Sequence, residues 1–171
     1  MRISAKVDYA VRAMAQLAAD QSDGPVKAEH IATAQGIPLK FLLAILNELK
    51  RARLVRSQRG LEGGFVLSSP PEGITVADII RAVDGPLANI RDTSLHELDY
   101  AGPALGMREV WMAVRASLRA VLERVTLADL ASGELPESVK VLAAEYEADI
   151  RYPRPVLGAK AEHTRQDHPS P

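Results

Sequence analysis

The chain has 171 residues, of which 47% are apolar and only 4% aromatic, and its formal net charge is −1. This length fits one domain of ordinary size with an aliphatic core, and no stretch approaches the roughly 18 apolar residues of a membrane span. The lack of cysteine excludes disulfides, thiolate nucleophiles and cysteine-ligated zinc or iron–sulfur centres. Because residues 1–4 lack the apolar start of a signal peptide, we expect a cytoplasmic protein.

A first amphipathic helix is predicted over residues 4–20. Its apolar residues recur at the spacing of one helix face, and the Ser4 hydroxyl is placed to cap the first turn. The inward positions are Val7, Ala10, Val11, Met14, Leu17 and Ala18. Residues 21–25 form a turn cluster, so the helix is expected to end near residue 20.

Two further helices follow around a tight glycine turn. The second is predicted over residues 27–35, with Ile31 and Ala34 inward, and Gly36 ends it. Pro38 lies near the first position of the third helix, where its missing N–H costs nothing. The buried face of that helix is made of Leu42, Ile45, Leu46 and Leu49. Helix, glycine turn and helix are the pattern of a helix-turn-helix.

A basic β-hairpin follows the third helix. Leu54 and Val55 begin one short strand, residues 59–64 form a glycine-rich tip, and residues 65–67 form the second strand. Between residues 37 and 67 six cations outnumber two acids, a net of +4, whereas the rest of the chain sums to −5. The cations are Lys40, Lys50, Arg51, Arg53, Arg56 and Arg59. A basic helix and wing on an acidic body indicate a surface for phosphates.

A shorter helix is predicted after the wing. Residues 74–76 form a short strand or a lead-in, and residues 77–83 form a helix with Ile79, Ile80 and Val83 inward. The sequence Asp-Gly-Pro that follows stops this helix.

The remainder of the chain divides into a loop, helices and a tail. Residues 87–106 show no periodic spacing of apolar residues, which predicts a loop. Residues 126–130 are predicted to continue the long helix before them as a short cap, and residues 137–152 to form a further helix. The predicted organisation is a winged-helix domain (1–85), a loop (86–106), a dimerisation helix with a C-terminal helical segment (107–152) and a disordered tail (153–171). The fold class is mainly α with a small β-hairpin.

The longest predicted helix, residues 107–125, carries a heptad stripe of apolar residues. The stripe consists of Met107, Trp111, Val114, Leu118, Val121 and Val125. A helix packed on its own domain would show such a stripe, and so would a dimerisation helix. Because the winged-helix core that precedes it is already complete, we favour dimerisation through this face.

The motif at the wing tip points to a family. It reads Ser57-Gln58-Arg59-Gly60 and then Gly63-Gly64-Phe65. Supporting motifs are Tyr9-Ala10, Ile37-Pro38, Phe41-Leu42, Ile45-Leu46, Leu49, Leu54-Val55, residues 74–85 and residues 126–130. Together they resemble the signature of the Rrf2 family of bacterial repressors, over roughly residues 1–132. The resemblance implies a winged helix, a long dimerisation helix and a homodimer.

The loop before the long helix departs from the family pattern. Many members carry three cysteines there that ligate an iron–sulfur cluster, and residues 89–106 contain none. Counting back from Trp111, the ligand positions of a well-known member fall on Arg108 and Leu105, which cannot serve as ligands. We therefore expect no cofactor.

Two further departures concern the third helix. Family members often place polar, base-reading side chains where this chain has Leu43 and Ala44. Arg53 stands just past the helix where the family usually has glycine, which accepts a left-handed conformation cheaply. Arginine has a modest conformational cost at such a position, and it adds a cation near DNA.

DNA binding requires cations near phosphates and a few side chains at base edges. Lys40 and Asn47 could reach bases or phosphates, whereas Leu43 and Ala44 offer only apolar contacts, for instance with thymine methyl groups. The resemblance places Arg59 in the minor groove.

The candidate DNA-binding residues are Lys40, Leu43, Ala44, Asn47, Lys50, Arg53, Arg59, Gly60, Gly63 and Gly64. The three glycines allow a tight backbone and a close approach to phosphate. A solvated helix end would show the same cations, but the wing motif beside them favours DNA.

Asp8 and the loop group His96, Glu97 and Asp99 are the candidate metal ligands. In one cluster-bearing member an aspartate at the place of Asp8 ligates iron, but without cysteines an acid favoured by the helix dipole is the simpler interpretation. The loop group offers oxygen and nitrogen ligands, although acids are common in loops. We assign no metal site.

The sequence therefore predicts a regulator rather than an enzyme. It contains no Gly-x-Ser-x-Gly motif, phosphate loop or paired acids on an evident cleft. We expect a homodimeric repressor that binds double-stranded DNA at an inverted repeat, with a small-molecule effector, a protein effector or no effector, and no membrane association. The alternative is a winged helix that has lost DNA binding and serves as a protein-interaction module, which the apolar Leu43 and Ala44 keep open.

Overall fold

The computed structural model of the protein describes residues 3–20, 24–60, 62–87 and 95–151. Its helices are α1 (Ala5–Asp20), α2 (Ala28–Gln35), α3 (Leu39–Arg51), α4 (Val76–Asp84), α5 (Met107–Leu122), α6 (Leu127–Ser132) and α7 (Glu137–Arg151). Two strands, β1 (Val55–Gln58) and β2 (Gly64–Leu67), form an antiparallel hairpin. The predicted class, mainly helical with one small hairpin, is confirmed. No helix in the described ranges is long and apolar enough to cross a membrane.

The chain forms two compact units, the first ending at Glu137 and the second beginning at Ser138. The core of the first unit surrounds α1, which contacts α2, α3, α4 and α6. Its buried residues are Val7, Ala10, Ala13, Met14 and Leu17. Burial of one Leu or Met side chain stabilises a fold by about 1.5–3 kcal/mol, so an aliphatic cluster can do without aromatic residues. Val11 and Ala18, predicted inward, are only partly buried at its edge.

Ser4 begins α1 as predicted. Its Oγ accepts a hydrogen bond from the Val7 N–H at 3.2 Å. This contact satisfies one of the backbone donors that a helix N-terminus leaves without an intrahelical partner.

Gly36 makes the turn between α2 and α3. Its φ of 61° is left-handed, and the Ile37 N–H donates back to the Ala32 carbonyl at 2.9 Å, which closes the end of α2. Pro38 precedes α3 with a φ of −58°. The predicted helix-turn-helix is confirmed.

One inward residue of α2 was predicted wrongly. Ala34 is exposed, and Ala32 is buried in its place. The buried residues are Ala28, Ile31 and Ala32. They follow the i, i+3, i+4 spacing from Ala28, the first residue of the helix. The prediction placed Ala34 inward because it follows Ile31 by three residues.

The wing is anchored by a third segment. β1 and β2 pair with Val55 opposite Leu67. On the other side of β2, Phe65 pairs with Val26, and their two N–H···O distances are 2.9 and 2.8 Å. An isolated two-stranded hairpin is marginally stable in water. The bridge to Val26 therefore ties the wing to the segment that leads into α2.

The end of α5 differs from the prediction of a helix over residues 107–125. The helix stops at Leu122, and Val125 lies beyond it and is buried. The Val125 carbonyl accepts a hydrogen bond from the Val76 N–H at 2.9 Å, and Thr126 forms an antiparallel bridge with Thr75. The chain leaves the helix because this segment pairs with the lead-in to α4, a long-range contact that helical spacing does not reveal.

Leu127–Ser132 form a separate helix, α6, capped by Thr126, rather than a continuation of α5. The Thr126 Oγ1 accepts from the Asp129 N–H while the Asp129 carboxylate accepts from the Thr126 N–H, and Thr75 and Asp78 repeat this capping box at α4. Leu127, the first residue of α6, is fully buried, and α6 packs on α1. The Thr-x-x-Asp spacing marks both helix starts in the sequence.

An ion-pair network joins α4 to the end of α5. Arg81 on α4 and Arg119 on α5 both donate to the carboxylate of Glu123, the residue that follows α5. The hydrogen bond from Arg119, at 2.9 Å, and that from Arg81 lower the pKa of Glu123.

The described part of the predicted loop contains two single turns, Leu95–Glu97 and Gly102–Ala104. Leu95 is buried, and the Trp111 Nε1 donates to the Tyr100 hydroxyl at 3.1 Å. The loop is therefore fastened to the Trp111 side of α5. The predictions for residues 88–94 and for the tail after Tyr152 lie outside the described residues.

Candidate nucleic-acid interface

α3 has one buried and one exposed face, as its spacing predicts. The buried residues are Leu42, Ile45, Leu46 and Leu49. On the opposite face Lys40, Leu43, Ala44 and Asn47 are exposed. The structure therefore brings the four candidate base-contacting residues together on the outer surface of the helix.

Contacts with α1 fix the orientation of α3. The Lys6 Nζ lies 3.2 Å from the Glu48 Oε2, and the rings of Tyr9 and Phe41 meet edge to face with their centroids 5.7 Å apart. An aromatic pair of this kind contributes about 0.5–1.5 kcal/mol beyond its buried area. Because Glu48 is the only acid in α3, Lys6 compensates the single negative charge of the helix.

Asp8 lies on α1 beside these contacts. Its Oδ2 accepts from the Arg12 Nη1 at 3.2 Å, and the Arg12 guanidinium lies 5.5 Å from the centre of the Tyr9 ring. Asp8 thus forms an i, i+4 ion pair within its own helix, which supports the interpretation of it as a helix-surface acid.

A cationic cleft of about 750 Å³ lies between the end of α3 and the wing. Its cations are Lys50, Arg53, Arg56 and Arg59, and the side chains of three serines complete its polar lining. The Lys50 Nζ donates to the Ser57 Oγ at 2.8 Å, which holds the last turn of α3 against β1. Ammonium, guanidinium and hydroxyl groups are donors suited to phosphate oxygens.

The cleft contains residues that sequence reasoning did not assign to the site. In the sequence Arg56 is only one of six cations, Ser57 is only part of the family motif, and nothing marks Ser68 or Ser69 as part of the site. The alternation of side chains along a strand places Arg56 outward once Val55 is inward, so that residue could have been found. Ser68 and Ser69 reach the cleft only because the hairpin returns beside α3, which no local motif shows.

Arg53 has a left-handed backbone. Its φ is 61°, and among the described residues no other non-glycine residue has a positive φ. The strained conformation expected for an arginine at this position is confirmed. Its exposed side chain lines the cleft.

The wing glycines serve the packing of the wing itself. A Cβ on Gly63 would lie 2.5 Å from the Gln58 carbonyl oxygen, and a Cβ on Gly64 would lie 2.5 Å from the Val26 carbonyl oxygen. Gly60 has a φ of 115°, which side chains rarely allow. Backbone contacts within the protein therefore account for Gly63 and Gly64, and the positive φ accounts for Gly60, whether or not a phosphate also approaches them.

The six cations from Lys40 to Arg59 have no acidic partners within the described ranges. Other cations form the ion pairs found there, among them Lys6, Arg12, His30, Arg81 and Arg119. Because Lys6 compensates Glu48, these six positive charges are opposed within residues 37–67 by one acid, Glu62. Such a surface has a strongly positive potential that attracts polyanions.

α5 presents an apolar groove on its surface, with a volume of about 620 Å³. It is lined by Val110, Ala113, Val114, Ser117, Leu118, Val121 and Leu122. The groove includes Val114, Leu118 and Val121 of the predicted stripe, whereas Met107 and Trp111 are half-buried and Val125 lies beyond the helix. Val110, which is 49% exposed, belongs to this face and was missed.

The candidate metal ligands of the loop are not brought into a site. Glu97 and Asp99 are exposed, and the His96 side chain lies outside what the structure describes. Across the described residues, no group of three His, Cys, Asp or Glu side chains could hold a metal ion.

Comparison with protein families gives a match over most of the chain. Residues 3–133 match Rrf2, described as iron-dependent transcriptional regulator. A protein of Mycobacterium tuberculosis named as a helix-turn-helix-type transcriptional regulator is 54% identical over 148 residues, which cover 86% of this chain and 92% of that protein. The transcriptional regulator CymR of Bacillus subtilis is 37% identical over 77% of this chain and 91% of its own length.

Solved structures show the same relationship. The structure of CymR from B. subtilis, described as a global cysteine regulator, has a TM-score of 0.67 and 36% identity, covering 77% of this chain and 97% of that one. IscR from T. potens has a TM-score of 0.64 and 34% identity, covering 78% of this chain and 88% of its own.

Proposed function

Because the chain belongs to the Rrf2 family and is a DNA-binding transcriptional regulator rather than an enzyme, we propose that it is a homodimeric repressor that binds an inverted repeat. The observation that carries this proposal is the cationic surface of α3 and the wing. Lys6 compensates the one acid of α3, and the cleft beside it holds four cations. A bacterial regulator of this kind meets its DNA in the cytoplasm, which we propose as its location.

The cleft suits the DNA backbone rather than a base. Each Lys or Arg that neutralises a phosphate releases a counterion, so affinity depends steeply on salt. Lys50, Arg53 and Arg56 lie where α3 ends and β1 begins, beside the helix that would enter the major groove. In this arrangement they hold the backbone and set the depth of α3 in the groove.

Base contacts are assigned to α3 and to the tip of the wing. Lys40 and Asn47 have the donors and acceptors on the outer face of α3 that can reach base edges. Arg59 is exposed beside Gly60 at the tip, and a narrow A·T-rich minor groove attracts arginine. We assign Arg59 to that groove.

Dimerisation is assigned to the apolar groove of α5. Val110, Val114, Leu118 and Val121 recur at spacings of four, four and three, so they form one stripe on the helix. A second copy of α5 packed on this stripe would bury it by knobs-into-holes packing. Two recognition helices related by the dimer axis would then enter successive major grooves about 34–36 Å apart.

The iron dependence in the family description does not fit the ligands of this chain. Iron–sulfur clusters are held mainly by cysteine thiolates, and the chain has no cysteine. Asp8 is paired with Arg12. We therefore propose that this regulator does not sense iron. Its activity is controlled by a small molecule or by a protein partner, or it has no effector.

The test of DNA binding is a titration at several salt concentrations. Duplexes are selected from a randomised library with the full-length protein, and binding is measured by fluorescence anisotropy. We expect the affinity to fall steeply with salt, and Arg59→Ala to weaken binding by roughly 1–3 kcal/mol.

Arg124→Ala is the matched control, because Arg124 is an exposed arginine in the turn after α5 and away from the cleft. It should leave the affinity unchanged. Equal binding by the Arg59 variant and the wild type would refute the assignment of Arg59. Affinity that does not depend on salt would favour the protein-interaction module instead.

A further inference from the structure

We infer that Leu43 and Ala44 recognise thymine by contact with its C5 methyl group, an inference that rests on the proposed DNA binding. On the outer face of α3, Leu43 and Ala44 lie along the helix between Lys40 and Asn47, so the middle of this face carries no hydrogen-bonding side chain. Leu39 is 37% exposed and Leu43 is 39% exposed, and Ala44 is exposed next to them. Apolar side chains therefore occupy the middle of the surface that would face the base pairs, between Lys40 and Asn47.

The contacts of α3 show which way these residues point. Phe41 and Glu48 are held by α1 on one flank of the helix, and Lys50 is bonded to β1 on the other. At 100° per residue, Leu43 and Ala44 lie between these flanks and away from the buried face. They point away from the protein, toward whatever α3 binds.

The charges around this apolar patch favour nucleic acid over protein as its occupant. Lys40 and Arg51 lie on the same exposed face, and Lys50 lies beside it. None of the three has an acidic partner in the described ranges. A protein partner would have to bring several acids together with an apolar surface, whereas major-groove DNA offers both phosphates and thymine methyl groups.

The chemistry of the major groove determines which base is recognised. Thymine presents a C5 methyl group there, whereas cytosine presents an amino donor and no methyl. Leu43 and Ala44 cannot accept the cytosine N4 hydrogen bond, so a C·G pair opposite them leaves that donor without a partner. The two residues should therefore specify T·A, and Lys40 and Asn47 should specify the neighbouring pairs.

The experiment replaces single thymines by uracil in a selected duplex, which removes only the methyl group. Burial of one methyl group is worth about a fourfold change in Kd. We expect one thymine in each half-site to show this loss with the wild-type protein. Replacement of cytosine by 5-methylcytosine at the same position of a C·G variant should recover part of the affinity.

Leu43→Ala identifies the residue that makes the contact. This variant should bind the thymine and uracil duplexes with Kd values less than twofold apart, and uracil in flanking positions serves as the control for the base change. A wild-type protein that binds with a steep salt dependence but tolerates every uracil would overturn this inference and leave the proposed function standing. Binding that is absent or independent of salt would refute both.

Discussion

Replacement of Arg53 by glycine should stabilise the fold and weaken DNA binding at the same time. Arg53 has a φ of 61°, is exposed and lines the cationic cleft. It forms no ion pair with the described residues. Its removal therefore relieves backbone strain without loss of an interaction inside the protein, but it removes a charge from the proposed DNA surface.

The gain in stability follows from two opposing contributions. The left-handed conformation costs an L-residue about 1–2 kcal/mol, and glycine loses about 0.5–1 kcal/mol through its greater freedom in the unfolded chain. The midpoints of these two ranges leave a net gain of about 0.75 kcal/mol. For a chain of this size, 1 kcal/mol shifts the melting temperature by about 2–4 °C, so Arg53→Gly should melt about 1–4 °C higher.

The loss of DNA affinity should appear in the salt dependence. Each phosphate contact contributes about 0.9 to the slope of log K against log salt, so Arg53→Gly should lower that slope by about one. Calorimetry measures the first effect, and anisotropy titrations at several salt concentrations measure the second.

Two variants separate strain from charge. Arg53→Asn tolerates the left-handed region but removes the charge, so it should lose the same slope as the glycine variant. Arg53→Lys keeps both charge and strain, so its melting temperature and slope should match the wild type. A glycine variant that melts below the wild type would refute the strain argument, and an unchanged slope would remove Arg53 from the DNA contacts.

Three further predictions concern the wing, the proposed dimer and the ion-pair network. Gly64→Ala should destabilise the fold by about 1–3 kcal/mol in thermal melts, because the new Cβ would lie 2.5 Å from the Val26 carbonyl oxygen. Gly73→Ala is the control: its Cβ would meet nothing within 4 Å, so its effect should be nearly neutral. Leu118→Glu should convert the dimer to a monomer in analytical ultracentrifugation. Ala116 is exposed outside the groove, so Ala116→Glu should remain a dimer. A Leu118 variant that is still dimeric would contradict the α5 interface. Glu123 has a lowered pKa in the fold, so its contribution to stability exists above its ordinary pKa of about 4.3 and is lost as the pH falls through the folded-state value. Glu123→Gln should therefore lower the melting temperature at pH 7 and change it little near pH 3, and equal effects at both pH values would count against the network.

The end of α5 shows where sequence periodicity fails. The apolar spacing continues through Val125, but the helix stops at Leu122 because the next residues pair with the segment before α4. A helix pattern and a short buried bridge place apolar residues at similar spacings. The capping box at Thr126 is the local feature that distinguishes them.

The wing glycines show how one pattern can have two causes. Their order after Arg59 is typical of the family, and the sequence associated them with phosphate. The structure shows that Gly63 and Gly64 are required by close backbone contacts with Gln58 and Val26. The contact with Val26 joins residues that are far apart in the chain, so no inspection of the motif could have supplied it.

The sequence by itself determined the helix-turn-helix, the hairpin and the outward face of α3, since helical periodicity and glycine turns act between neighbouring residues. The resemblance to the Rrf2 family added the expected strain at Arg53, because the family usually has glycine at this position after the helix, and the φ of 61° agrees with it. Only the tertiary structure decided how the charges combine: Lys6 compensates Glu48, and the returning hairpin brings Ser68 and Ser69 to the cationic cleft. These contacts join residues distant in the chain, and their geometry depends on the packing of α1, α3 and the wing around one core.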